Sequence, residues 1–253
     1  MSHDLKDIAY HEAIAAEYHA VVVAPREVAN DALFAEVERH VRPGDLMLDL
    51  GCGTGHMLLR FARRFRRAIG VDHSEAMLAQ ARKHLAAAGI GNVELRRESL
   101  AEFLDSAHAG EFDFISCVGC LHHLGRATIE SVFGHARRLL RAGGVLLFAE
   151  PIVVAPDSVP PPVAQWNARS IGATLRYSVP ADDPDEAPLE HAWITQALAR
   201  NGLRVVASAR GWELFPHAMP PTASDREAIA RLHHEFGESG NVLCVVASSN
   251  TSR

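Results

Sequence analysis

The chain has 253 residues, 48% of them hydrophobic and 22% charged, and a formal net charge of −6. That length is enough to bury the core of one full domain, and that charge excludes a protein built around a basic nucleic-acid-binding face. No apolar run reaches the length of a membrane span, no charged-then-apolar leader opens the sequence, and four cysteines without framework spacing suit a reducing cytoplasm.

Residues 1–40 read as helical. Two stretches carry the pattern, Tyr10 to His19 and Asn30 to Glu38, the second with Asn30 as its cap. After Pro43-Gly44, the short apolar run Asp45 to Leu48 reads as a strand, and His56 to Arg63 as the start of an amphipathic helix. Between them lies Asp49-Leu50-Gly51-Cys52-Gly53-Thr54-Gly55. Glycines at alternate positions of a strand-to-helix turn permit positive φ and let a ligand approach the backbone. The helix start beyond them offers unpaired N–H groups. Asp49 stands just before the glycines, where a diphosphate would be repelled and an ammonium group attracted. The loop therefore suits an amino acid or nucleoside. Position 56 is His, so the dinucleotide fingerprint fails, and no Gly-Lys-Ser/Thr follows to make a phosphate loop.

Ile69 to Asp72 reads as the next strand, ending in an acid 21 positions after Gly51, and Ser74 caps the helix that follows. An acid so placed can accept both hydroxyls of a ribose. A third strand runs from Asn92 toward Ser99, and a fourth from Phe112 into the loop Gly119-Cys120-Leu121-His122-His123-Leu124. Arg137 to Arg141 reads as a helix end closed by a Gly143-Gly144 cap, with the apolar strand Val145 to Glu150 beyond it. This strand–helix alternation predicts a parallel sheet covered on both faces, with ligands at the carboxyl ends of the strands.

The series Asp49-x-Gly51-x-Gly53-x-Gly55, Asp72, Phe112-Asp113 with Leu121-His122-His123-Leu124, and Gly143-Gly144 resembles the class I S-adenosylmethionine-dependent methyltransferases. The likeness is nearest to small-molecule enzymes of the ubiquinone-biosynthesis type, and it covers residues 40–150 well and the rest weakly. It implies an α/β, Rossmann-like, doubly wound and mostly parallel seven-stranded sheet with the last strand antiparallel. N-terminal helices and a lid inserted after strand five would complete it. The implied organisation is a helical cap at 1–40 and a cofactor-binding domain at 41–253, with the lid at 151–190. S-adenosylmethionine would meet Asp49, Gly51, Cys52, Gly53, Gly55, Asp72, His73, Met77, Ser99, Leu100 and Cys117, with Tyr18 reaching over from the N-terminal segment. Ser99 stands where the family usually carries an Asp, and its hydroxyl can still accept one hydrogen bond from the adenine amine.

The prolines Pro156, Pro160, Pro161, Pro162, Pro180, Pro184 and Pro188 break the rhythm of the chain, with a short helix or two expected between Gln165 and Tyr177. On the lid reading, Trp166, Arg169 and Tyr177 bind substrate, joined by His217 from the segment Gly211 to His217. A helix from Leu189 to Asn201 capped by Gly202, a strand Leu203 to Ser208 and a last strand Asn241 to Ala247 follow. His233-His234 reads as a solvated helix face.

Methyl transfer needs positioning above all, and a hydroxyl acceptor needs a base as well. His122 and His123 are the candidates, because imidazole titrates near neutrality, with Glu150 as base or cation-binding group. Cys117-x-x-Cys120 beside the two histidines has no second ligand cluster, so no metal is expected. The expected activity is methylation of O, N or C on a small molecule by a cytoplasmic monomer or homodimer, with no nucleic-acid or membrane partner. The alternatives are the same fold binding S-adenosylmethionine for cyclase- or decarboxylase-like chemistry, or as a non-catalytic binding protein.

Overall fold

A computed structural model describes residues 3–170 and 187–249. Seven strands form one sheet in the order β3-β2-β1-β4-β5-β7-β6. They are β1 (Gly44–Leu50), β2 (Phe65–Asp72), β3 (Val93–Arg97), β4 (Phe112–Val118), β5 (Leu140–Pro151), β6 (Leu203–Gly211) and β7 (Val242–Ser249). The first five are parallel, and β7 runs antiparallel between β5 and β6. The helices are α1 (His3–Tyr18), α2 (Ala24–Val37), α3 (His56–Phe61), α4 (Glu75–Ala87), α5 (Leu100–Ser106), α6 (Arg126–Leu139), α7 (Pro161–Asn167), α8 (His191–Arg200) and α9 (Ala223–Phe236).

Alternation along the strands builds two cores. On one face Leu48, Leu50, Ile115 and Phe148 meet Phe103 of α5, Ile129 and Phe133 of α6, and Leu198 of α8. On the other, Met47, Phe114 and Leu147 meet Phe34 of α2, Leu58 and Phe61 of α3, and Leu78 of α4. Successive residues of a strand point to opposite faces, so one apolar run feeds both layers. In α6 the buried set Ile129, Val132, Phe133, Ala136 and Leu139 recurs at helical spacing. Phe133 is fully buried and packs on Phe148 with ring centroids 5.5 Å apart. Phe133→Ala is expected to cost about 3–5 kcal/mol, read as an earlier urea midpoint with an unchanged slope.

The chain winds outward from β1 to β3 and returns to β4 on the other side of β1. That reversal opens a crevice at the carboxyl ends of β1 and β4, the usual ligand position in such sheets.

Several expectations are corrected. Asn30 lies inside α2, which starts at Ala24 with Pro25 in its first turn, the position a missing N–H tolerates. A π-helical turn, His19–Val23, joins α1 to α2. Gly143 and Gly144 do not cap α6, which ends at Leu139. Gly143 has φ +80°, and the pair sits where the β4–β5 register shifts. A Cβ on Gly144 would come within 2.8 Å of the Phe112 carbonyl oxygen, so the strands approach through backbone alone. His233 is buried, 5% exposed, whereas His234 is exposed as expected. Leu189 pairs with Ile152 in an isolated bridge before α8 starts at His191.

Trp166 lies near the end of α7, which starts at Pro161, before the expected helical stretch, while Tyr177 and residues 171–186 of the proposed lid lie outside the described residues. Among the described residues no helix is long and apolar enough to cross a membrane.

Candidate active site

The loop after β1 is held open by backbone geometry. Gly51, Gly53 and Gly55 have φ of +65°, +49° and +89°, values that side chains other than glycine's rarely tolerate. Cys52 N–H donates to Val71 O at 3.0 Å, pinning the loop to β2. Asp72, at the end of β2, accepts from Gly53 N–H through Oδ2 and from Ser74 N–H through Oδ1, both at 2.8 Å. The carboxylate that was expected on a ribose thus also fixes the loop beside it. Ser74 caps α4 by accepting from Met77 N–H at 3.1 Å. Ser74→Ala is expected to cost about 1 kcal/mol, seen as a small fall in the thermal midpoint.

Asp49 is the unusual group. It is 2% exposed, and its Oδ1 accepts from Ser116 Oγ at 2.6 Å. Its Oδ2 is buried with no hydrogen-bond partner in the protein. Burial pushes its carboxyl up to about 7, the Ser116 hydroxyl opposes this, and the charge of Asp72 adds to it. Thr54 Oγ1 in the same loop is likewise buried without a partner. A Cβ on Gly53 would meet nothing within 4 Å, so this stretch of backbone borders open space. A buried carboxylate oxygen awaiting a cation, beside exposed backbone, fits a ligand with an ammonium group.

The opposite wall is the loop after β4. Glu150, fully buried at the end of β5, organises it. Its Oε1 accepts from Cys120 N–H at 3.1 Å and Leu121 N–H at 2.9 Å. Its Oε2 accepts from His122 N–H at 3.3 Å and stands 2.7 Å from His122 Nδ1. A carboxylate only accepts, so Nδ1 of His122 carries a proton and donates it to Glu150. Glu150, expected as base or cation-binding group, has both oxygens engaged with the loop and the His122 ring.

Helix α1 lies across this cleft. Ile14 and Ala15 pack on Met77 of α4, with Tyr10 and Tyr18 against the same cluster. His11 from α1 stacks edge-on toward His123, ring centroids 5.3 Å apart, and lies 6.4 Å from the ring of His73. Asp7, one turn earlier, brings Oδ1 to 3.0 Å from His123 Nδ1. Neither Asp7 nor His11 was singled out in the sequence. The one available signal was their four-residue spacing on a helix.

The remaining candidates divide. Ser99 caps α5 in a reciprocal box with Glu102, its Oγ donating to Glu102 Oε2 at 2.7 Å and accepting from Glu102 N–H at 3.2 Å, and Leu100 is the first residue of that helix. Cys52 and Cys117 are buried, and their thiols are pushed well up, Cys52 chiefly by burial and Cys117 chiefly by its hydrogen bond with Cys120. Trp166 stacks on His217 at 3.9 Å and donates from Nε1 to Phe215 O at 2.7 Å. Arg169 is exposed. The segment expected at the acceptor mouth buries Trp212 and Leu214 in a satellite core with Val28, Val163 and Ile229, so it ties α2, α7 and α9 together.

Comparison with known proteins agrees with this geometry. Residues 47–144 match a family described as a methyltransferase domain. A ubiquinone biosynthesis O-methyltransferase of Hahella chejuensis is 36% identical over 112 residues, 44% of this chain and 45% of that protein. The chain thus matches less than half the length of that relative. The methyltransferase fold extends over the described chain: the DhpI–SAH complex superposes with a TM-score of 0.63 at 17% identity, covering 99% of this chain and 100% of that one. The [4+2]-cyclase SpnF has a TM-score of 0.64 at 13% identity, covering 100% and 97%.

Proposed function

We propose that the protein binds S-adenosylmethionine and methylates an oxygen of a small-molecule acceptor. The observation that carries this reading is Asp49, whose buried Oδ2 has no partner in the protein beside a glycine loop open to a ligand. When bound, S-adenosylmethionine supplies a methyl group on a positively charged sulfur. Asp49 pairs with its ammonium group. Asp72 keeps lone pairs for the ribose diol, since each oxygen accepts only one backbone N–H. His73, Met77, Ser99, Leu100 and Cys117 are assigned to the rest of the cofactor, with Tyr18 of α1 reaching over it.

His122 is the base. Its Nε2 takes the acceptor's hydroxyl proton while the oxygen forms its bond to carbon, and Glu150 stabilises the imidazolium that results. Such a base contributes about 10²–10⁴-fold in rate. Helix α1 excludes water from the cleft, and Trp166, Arg169, Tyr177, His217 and His123 are assigned to the acceptor side. The ubiquinone O-methyltransferase relative supports a small-molecule acceptor. Free cysteines at Cys52, Cys117, Cys120 and Cys244 support a cytoplasmic location, with the chain acting as a monomer or homodimer.

Thermal unfolding with S-adenosylhomocysteine, against NAD as control, is the direct test. At about 100 times Kd the ligand should add about 2.7 kcal/mol, a shift of several degrees at this size. No shift overturns the reading. A bound nucleoside with acceptor turnover but no gain of one methylene in product mass would replace it with non-methylating chemistry.

A further inference from the structure

The reading above gives no role to Asp7 and His11, which α1 brings to the cleft beside His123, and the donor atoms of the three have a definite chemistry. Asp7 and His11 are four residues apart on α1, so both project from one face of the helix. His123 comes from the loop after β4. One donor atom from each of the three lies within 4.8 Å of the other two. Asp7 Oδ1 stands 3.0 Å from His123 Nδ1 and 3.4 Å from His11 Nδ1, and His11 Nδ1 donates to the Asp7 carbonyl oxygen at 2.9 Å, a hydrogen bond that a bound ion would displace unless His11 turns Nε2 toward it. Asp7 is 9% exposed, and its Oδ1 receives no well-directed hydrogen bond although two imidazole nitrogens face it. A third imidazole, His73 Nε2, is 3.9 Å from Asp7 Oδ2.

We propose that Asp7, His11 and His123 bind one divalent transition-metal ion at the mouth of the cleft. Metal–nitrogen and metal–oxygen distances of about 2.0–2.2 Å set the spacing of adjacent ligands at about 2.9–3.4 Å, from octahedral to tetrahedral. The Asp7 Oδ1–His123 Nδ1 separation of 3.0 Å already has that size. Two imidazoles and one carboxylate suit a first-row ion such as Zn²⁺, Mn²⁺ or Co²⁺ rather than Mg²⁺ or Ca²⁺, which favour oxygen. Three protein ligands leave open positions. Because the site adjoins His122 and His73, those positions face an acceptor that offers an oxygen donor, and the ion selects acceptors able to chelate. This role rests on the methyltransferase reading; occupancy of the site does not. The ion also joins α1 to the sheet, so its binding closes the cover over the cleft.

The test uses the full chain without a purification tag, stripped with a chelator and titrated with Zn²⁺, Mn²⁺ or Co²⁺ alone. The expected result is one ion per chain after gel filtration, a rise of several degrees in the thermal midpoint, and a visible Co²⁺ band. Asp7→Asn and His11→Gln should each lower affinity at least tenfold, while His234→Gln, exposed on α9, should bind like the parent. Should either α1 variant unfold, His123→Asn with the Co²⁺ band as readout serves in its place. Binding well below one ion per chain, or binding unchanged in Asp7→Asn and His11→Gln, overturns the proposal. S-adenosylhomocysteine stabilisation of the stripped protein is measured alongside. If that survives while the metal result fails, the metal site alone is withdrawn; if it fails while the ion binds, the methyltransferase reading is withdrawn and the site stands.

Discussion

Asp49→Asn is expected to make the ligand-free protein more stable at pH 8 and to disable cofactor binding. The carboxyl of Asp49 is held up to about 7, against 3.8 in a model compound. Between those values the folded chain holds a proton that the unfolded chain has released, so stability falls as pH rises and the loss is complete above pH 7. Keeping the buried group ionised there costs about 4 kcal/mol. Asparagine removes that cost and keeps an oxygen for Ser116, but leaves its own N–H buried and unpaired, a penalty of about 1–3 kcal/mol. The net gain is about 1–3 kcal/mol at pH 8, raising the thermal midpoint by about 2–10 °C. It should vanish by pH 5, where Asp49 is protonated anyway. Affinity for S-adenosylhomocysteine, by contrast, should fall by about 30-fold or more, because one half of a buried charge pair is gone, a loss of about 2–5 kcal/mol. In the parent, binding should tighten as pH rises toward 7 and release a proton below it. Calorimetry in buffers of different ionisation enthalpy reads that proton directly. A variant that is no more stable at pH 8, or that binds as tightly as the parent, removes Asp49 from the role assigned to it.

Glu150→Ala should be among the most damaging single changes in the chain. It removes the acceptor of three backbone N–H groups and of the His122 ring at once. Buried donors left without partners cost about 1–3 kcal/mol each, and partial relaxation brings the expected total to about 3–5 kcal/mol. A midpoint lowered by roughly 10 °C would follow. Glu150→Gln separates shape from charge. It keeps the volume and one accepting oxygen, so most of the stability and the cofactor affinity should remain. The methyl-transfer rate should still drop about 10²–10⁴-fold, since His122 loses the group that orients it and balances its charge. The loss should appear in kcat with little change in KM. A Glu150→Gln enzyme with a normal rate would rule out His122 as the base.

What the sequence made legible was local. The glycine loop, the acid before it, the acid closing β2 and the Ser74 cap all sit within one strand–turn–helix unit, where spacing and geometry are nearly the same thing. The sheet followed from alternation, because apolar strands buried on both faces leave few other arrangements. Longer-range facts were hidden. Asp7 and His11 look like ordinary polar positions of an N-terminal helix until the fold sets His123 beside them. Glu150 was legible as a candidate but not as the acceptor for a loop some thirty residues earlier in the chain. Helix α9 was read only as the solvated face carrying His233 and His234, because its inner side takes its meaning from the satellite core it forms with Trp212 and Leu214, residues of another segment. The Gly143-Gly144 pair misled because such a pair satisfies both a helix cap and a strand irregularity.

The position of β7 has a consequence for synthesis. β7 pairs on one side with β5 and on the other with β6, and β6 has no other neighbour in the sheet. As the chain leaves the ribosome, β1 to β5 can pair with one another in the order they appear. β6 must wait for more than thirty further residues to emerge before it has a partner. Until then the free edge of β5, with Leu146, Leu147 and Phe148 beside it, presents unpaired backbone and apolar surface to whatever is nearby. A nascent chain halted after β6 should therefore recruit holding chaperones more strongly than one halted after β7, and a translation pause in that interval would govern how much of the protein reaches its folded state.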